Sequence, residues 1–338
     1  MAGGSQLAVY VALGANAVVT VAKLAGFAMT GSGAMLSEAV HSIADVGNQA
    51  LLAVGLKRAQ IPEDEDHPGG YGREAFVWSM VSAVGMFFLG SGVSLTHGIQ
   101  ALWSDGHHEP SGDHGMLNVG ILLFALVIEG GALAMAVRGL QRDAASHQQS
   151  FSDYLRTTDD PFGVAVLFED GAAVLGVLVA LGAVGMAHIT GQAWWDAAGS
   201  IVIGLLLGVV ALFLIQKNRT LLIGRAIRPE DRQRLQEILD ADPAVDHVAL
   251  QRAVVTGTST YRISAEIEFD GSYFAQQYME GRDLDALHSS LENPADLEAL
   301  LVDYGEHVMK QVGDEVDRIE DRIREVLPKA HHINIEPD

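Results

Sequence analysis

Six stretches of the chain are apolar over the length that a bilayer demands: Leu7 to Met29, Gly33 to Leu56, Ala75 to Leu102, Leu117 to Leu140, Phe162 to Met186 and Trp194 to Ile223. A helix needs roughly 20 residues to cross, and in lipid only helices and closed barrels satisfy their own backbone N–H and C=O groups. These runs predict a bundle of six transmembrane helices over residues 1–224. The first run has no basic stretch before it and no small-residue cleavage site after it, so it reads as a retained helix and not a signal peptide.

After Gly224 no such run remains, and "LLIGRAIRPEDRQRL" marks the change from apolar helix to polar chain. Residues 225–338 read as a small α/β domain. Glu230 to Leu239 has helical character, "VDHVALQRAVV" and "YRISAEIEF" alternate as strands do, Leu297 to Val326 has apolar residues at helical spacing, and "HHINIEP" closes the domain as a third strand. Helix-strand-strand-helix-strand is a compact two-layer unit. The acidic stretch over 270–297 has no assignment in this pattern.

Basic residues orient the bundle. Lys57, Arg58 and Arg73 lie between the second and third runs, Arg138, Arg142 and Arg156 around the link from fourth to fifth, and Lys217, Arg219, Arg225 and Arg228 after the sixth. The other three short loops hold no Lys or Arg, so the positive-inside rule predicts a multi-pass protein of the cell membrane with both termini in the cytoplasm. The net charge is -22. So large an acidic excess excludes nucleic acid as a partner, since phosphate binding needs the opposite sign, and it suits a cytoplasm of high ionic strength. The absence of cysteine excludes disulfides and thiolate metal sites, leaving N and O donors for any metal.

The second run is unusual: "SEAVHSIADVGNQ" carries Glu38, His41 and Asp45 inside an apolar stretch. Residues four apart on a helix share a face, so His41 and Asp45 point the same way. At roughly 1.5 Å per residue they lie about 12 and 18 Å from the outer edge of a core about 30 Å thick. In the fifth run the adjacent acids Glu169 and Asp170 stand alone among apolar residues, and Asp170 lies about 12 Å from the inner edge, level with Asp45. Charged groups at that depth cost several kcal/mol and persist mainly where they serve an ion or proton path. Several carboxylates facing one imidazole carry excess negative charge, which a divalent cation neutralises. By the same depth estimate Lys23 and Glu38 share a level near the outer side, which predicts a structural ion pair.

These residues carry a resemblance. "GSGAMLSEAVHSIAD" after "NAVVTVAKLAG", then "HPGGYGREAF", "FEDGAAVLGV" and "LLIGRA" before an α/β tail resemble the cation diffusion facilitator family of divalent-metal/proton antiporters over nearly the whole chain. The resemblance implies a homodimer of six-helix protomers whose cytoplasmic domain, residues 225–338, is metallochaperone-like and serves dimerisation. It makes His41, Asp45 and Asp170 metal ligands. The family's usual ligand four residues before Asp170 is here Val166, and Glu169 stands in for it, with rotation or local unwinding of the helix expected to bring it round. Similar Glu-Asp pairs occur in the branch that includes the mitochondrial zinc transporter.

A second family metal site, in the loop after the second helix, matches at Asp64 and His67, but its other histidine falls at Tyr71. In the tail, Asn334 and Ala265 stand where histidines are common, which argues against a cytoplasmic metal site; His331 and His332 are weak candidates. His107, His108, Glu109, Asp113 and His114 gather in one outer loop, where ordering entropy opposes metal binding. The expected activity is export of a divalent transition metal in exchange for protons, with Zn²⁺ first and Mn²⁺, Fe²⁺ or Co²⁺ favoured by an oxygen-rich donor set. No organic cofactor and no enzymatic activity are expected. The rivals are a membrane metal sensor or scaffold without transport, and a proton-coupled carrier of organic ions.

Overall fold

The computed structural model describes residues 3–30, 33–103, 115–192, 194–258 and 260–338. The chain divides into two compact units, Met1–Ile223 and Gly224–Asp338.

The first unit is helical throughout: α1 (Gly3–Thr30), α2 (Gly33–Arg58), α3 (Glu74–Gly85), a π-helical stretch (Met86–Gly92), α4 (Val93–Trp103), α5 (Gly115–Ser146), α6 (Phe151–Thr157), α7 (Pro161–Thr190) and α8 (Trp194–Ile223). Among the described residues, five segments are long and apolar enough to cross a membrane: Gln6–Met29, Glu74–Trp103, Val119–Ser146, Pro161–Ala187 and Ala197–Ile223. Large apolar side chains such as Phe88, Val127 and Val209 lie exposed on the outside of this unit, as lipid permits and water does not. The sixth expected crossing, α2, is not among these five. Its 26 residues give it the length, but among the described residues it lacks the composition, because Asp45, Asn48 and Gln49 fall in its middle. The polar middle is the feature that matters below.

Local chemistry fixes where the helices start and how closely they pack. Asp160 caps α7 by accepting from the Phe162 and Gly163 amides at 3.0 and 3.2 Å, and Pro161 supplies a helical φ at the first position. This start sets the height of Glu169 and Asp170. Gly55 lets α2 lie against α3 and α7: a Cβ there would stand 2.5 Å from Trp78 Cβ and 3.2 Å from Phe162 Cε1. Further along α3, Gly85 leaves room for Asn48, whose Oδ1 would be 3.0 Å from an added Cβ.

The second unit holds α9 (Pro229–Asp240), β1 (Val245–Gly257), β2 (Thr260–Phe269), α10 (Gly271–Met279), α11 (Leu284–Ser290), α12 (Pro294–Val326) and β3 (Ala330–Pro337). The sheet order is β1-β2-β3, with β1 antiparallel and β3 parallel to β2. Alternation along β2 turns Ile263, Ala265 and Ile267 inward, where they meet Leu239 of α9 and Ile319 and Ile323 of α12. The stretch left unassigned by the sequence pattern forms α10, α11 and the start of α12. Each begins at a capping residue: Asp270 accepts from the Ser272 amide, Asp283 from Asp285 and Ala286, and Asn293 with Asp296 completes a capping box. The element order is therefore α-β-β-α-α-α-β, two helices more than expected.

An ion pair with a buried carboxylate and a partly exposed guanidinium ties α12 to the segment between α9 and β1. Arg318 Nη2 donates to both oxygens of Asp242 at 2.7 and 2.9 Å, and the Asp242 side chain is wholly buried. Asp242, with Glu315, holds the Arg318 guanidinium proton above its ordinary value.

Two outcomes follow from this packing. Gly55→Ala should lower the thermal stability of the full chain by about 1–3 kcal/mol through overpacking against Trp78, read as a fall in unfolding temperature in detergent. Arg318→Ala leaves Asp242 buried without its guanidinium and should cost about 2 kcal/mol, read as faster amide exchange in α9 and α12; Arg318→Lys should recover only part, since it lacks the two-pronged donor.

Candidate functional site

Within the helical unit, Asp45 of α2 and Glu169 and Asp170 of α7 line one cavity of about 30 Å³, together with Asn16, Asn48, Gln49, Met86, Ala173 and Leu207. Helix spacing explains the set. Asp45, Asn48 and Gln49 stand at i, i+3 and i+4 on α2, and Asp170 and Ala173 at i and i+3 on α7. Met86 opens the π-helical stretch, and such turns are frequent at functional sites. No Lys or Arg is among the lining residues.

The two adjacent acids of α7 are treated differently. Glu169 accepts from Gln49 Nε2 at 3.0 Å and from Ser82 Oγ at 3.1 Å, so its carboxylate is turned towards α2 and α3. Asp170 is 4% exposed, and its Oδ2 has no hydrogen-bond partner among the described residues. α7 is one unbroken helix from Pro161 to Thr190. The unwinding expected for Glu169 is absent because its longer side chain reaches the cavity from the neighbouring helical direction. Val166, one turn before Asp170, is fully buried and is not among the lining residues.

Asp45, Glu169 and Asp170 thus bring three carboxylates from two helices to one cavity. Among the described residues no three His, Asp or Glu side chains stand close enough to clasp an ion as they are. Gathering these carboxylates on one cation therefore takes side-chain movement. The arrangement is a polar, acidic chamber enclosed by apolar helices, and what it can do chemically is attract and coordinate a cation.

Several contributors went unmarked in the sequence. Asn16 and Ser82 are neutral, and neutral polar residues in membrane helices are common as packing hydrogen bonds. Glu129 had a signal: it is the sole charge between Val119 and Val137 and is buried. A second polar contact lies on the same face of α3, one turn before Ser82. There Asn218 Nδ2 of α8 donates to Ser79 Oγ at 3.2 Å and to the Leu214 carbonyl at 2.9 Å.

His41 belongs to α2, but its side chain lies outside the described residues, as does that of Glu38. Lys23, the partner expected for Glu38, is buried. The outer-loop group His107, His108, Glu109, Asp113 and His114 also lies outside the described residues. In the loop after α2, Asp64 and His67 do meet, yet Asp64 is already engaged: Tyr71 Oη donates to Oδ2 at 2.7 Å and the His67 amide to Oδ1 at 2.7 Å. The His67 ring nitrogen Nδ1 is 3.5 Å from Asp64 Oδ1, and the ring leans on Tyr71 with centroids 4.3 Å apart. The Tyr71 hydroxyl, with the His67 amide, holds the Asp64 carboxyl below its usual range. His331 and His332 sit on β3 in the second unit.

Comparison with known proteins gives this geometry its setting. Residues 9–223 match the cation efflux transmembrane domain family. Metal tolerance protein C4 of Arabidopsis thaliana is 39% identical over 98% of this chain and 73% of its own length. The mouse and human proteins named mitochondrial proton-coupled zinc antiporter SLC30A9 are 37% and 36% identical over 98% of this chain. The chain spans 59% and 58% of those two relatives. The family match covers well over half of the chain, and with the plant relative at this identity it shows that the chain belongs to the cation efflux family, whose members are membrane transporters and not enzymes.

Proposed function

We propose that this protein is a secondary transporter that carries a divalent transition metal, zinc first, out of the cytoplasm in exchange for protons. The observation that carries the proposal is the cavity that Asp45, Glu169 and Asp170 share inside the helical unit. Carboxylates are costly in a low-dielectric interior unless a cation compensates them, and the cargo is the compensating charge. Protons compete for the same oxygens, so metal and proton occupancy exclude one another. With access alternating between the two sides, that exclusion becomes exchange.

His41 is proposed as the nitrogen donor, one turn along α2 from Asp45 and on the same face. Its imidazole must be neutral to ligate, which adds to the competition with protons. Zinc is supported by the names of the mouse and human relatives. One nitrogen among several oxygens also suits Mn²⁺, Fe²⁺ or Co²⁺. The basic residues at the ends of α2 and α8 support cytoplasmic termini, and the family resemblance supports a homodimer with the second unit as its dimerisation domain. The loop at Asp64 is proposed to hold no cargo, since Tyr71 occupies the carboxylate that a metal would need.

The proposal is tested in proteoliposomes loaded with a zinc-sensitive dye. Asp170→Asn and Asp45→Asn keep side-chain shape and remove one charge each, and each should reduce pH-gradient-driven Zn²⁺ flux about 100-fold. Flux near that of the unaltered protein in either variant would remove the cavity from the mechanism. Binding of Zn²⁺ by the unaltered protein with no flux under any gradient would instead point to a sensor or scaffold. For the loop, Tyr71→His should add one bound Zn²⁺ per chain by equilibrium dialysis, because it releases Asp64 and supplies a second imidazole; an unchanged stoichiometry would contradict the role given to Tyr71.

A further inference from the structure

Glu129 has no part in the site as the sequence motifs define it, yet its position in α5 is not that of a packing residue. The buried face of α5 runs through Ala125, Glu129, Ala132, Ala136 and Leu140, at the three- and four-residue spacing of one helical stripe. Among these described residues Glu129 is the one polar side chain. It is 6% exposed, and the small residues Ala125 and Ala132 stand a turn to either side of it.

The register of α5 against α7 gives its height. A Cβ on Gly163 would lie 3.1 Å from Leu140 Cδ2, and one on Gly171 would lie 4.0 Å from Leu133 Cδ1. Going up α7 therefore means going back along α5, and the two helices are antiparallel. Glu129 is one turn back from Leu133 and shares its side of α5. It thus stands about 6 Å, or roughly one helical turn, beyond the level of Gly171, the residue after Asp170, towards the end of the bundle where α5 begins. Independently of the acidic grouping, Asp170 presents a buried Oδ2 with no hydrogen-bond partner among the described residues, an acceptor that calls for a cation or a donor.

We propose that Glu129 is a further carboxylate of the cation site, offering the cargo its next oxygen donor beyond Asp170. The site then extends along the bundle. Asp45, Glu169 and Asp170 surround the cavity, and Glu129 marks the path from it towards the N-terminal end of α5. A divalent cation leaving the cavity in that direction exchanges one carboxylate for another, and so is not stripped of anionic donors in a single step. An additional oxygen donor also favours cations that take higher coordination numbers than tetrahedral zinc.

The inference rests on the transport reading above, and the test separates the two. Full-length protein is compared with Glu129→Gln and Glu129→Asp by calorimetric Zn²⁺ and Mn²⁺ binding, with flux in proteoliposomes and unfolding temperature measured on the same samples. Glu129→Gln keeps the shape and removes the charge. It is expected to weaken Zn²⁺ binding about 10-fold and Mn²⁺ binding by more, at an unchanged unfolding temperature, while Glu129→Asp recovers most of the affinity. Binding and flux of Glu129→Gln within about two-fold of the unaltered protein would overturn the inference alone, since loss of an oxygen donor costs more than that. So would a fall in unfolding temperature with affinity per folded molecule unchanged, which is what a structural role gives. Failure of the unaltered protein to bind either ion would overturn the transport reading, and this inference with it.

Discussion

The free energy of a carboxylate away from water governs this molecule. In an apolar interior an isolated charge costs several kcal/mol or more, so each buried acid needs a compensating group. The two units meet that need in opposite ways. In the second unit the compensation is internal: Asp242 is held by Arg318, and Asp231 by Arg228 at 2.9 Å and the Tyr261 hydroxyl at 3.1 Å. In the helical unit, Asp45, Glu169 and Asp170 line a cavity with no Lys or Arg among its described lining residues. A cation cargo would bring positive charge to that cavity.

Positioning follows from elements that carry no charge of their own at the site. The Asp160 cap sets where α7 begins, and so the level of Glu169 and Asp170. Gly55 and Gly85 let α2 approach α3 closely enough for Asn48 and Gln49 to reach the cavity wall. Gln49 and Ser82 then fix Glu169 by both of its oxygens. Donors aimed at a carboxylate keep it oriented without neutralising it, which leaves its charge available to an ion.

Much of this was legible in the sequence, and the part that was not has identifiable causes. Asp45 and Asp170 stand out because a charge in an apolar run is rare and because helix arithmetic puts them level. Glu129 obeys the same rule, yet a single acid with no charged neighbour in its run gives no spacing from which to argue, and only the register of α5 against α7 shows that it stands near Asp170. Neighbours on a helix point about 100° apart, so backbone direction alone predicts rotation or local unwinding at Glu169; the length of its side chain is what that reading leaves out. Ser82 is a polar residue of a kind that membrane helices use everywhere, so nothing marks it until its partner is known. In the second unit the strands and the long helix follow their periodicity. α10 and α11 are too short to show a period, and their capping residues Asp270 and Asp283 were the available sign.

The central claim is that the cavity between α2 and α7 receives a divalent cation. Anomalous X-ray scattering from crystals of the full-length protein grown with Zn²⁺, recorded on both sides of the zinc absorption edge, tests it most directly. The account predicts a zinc peak inside the helical unit with carboxylate oxygens of Asp45 and Asp170 about 2.0–2.2 Å away. A well-occupied zinc elsewhere in the chain, with the Asp45–Asp170 cavity left without a peak at saturating metal, would contradict it.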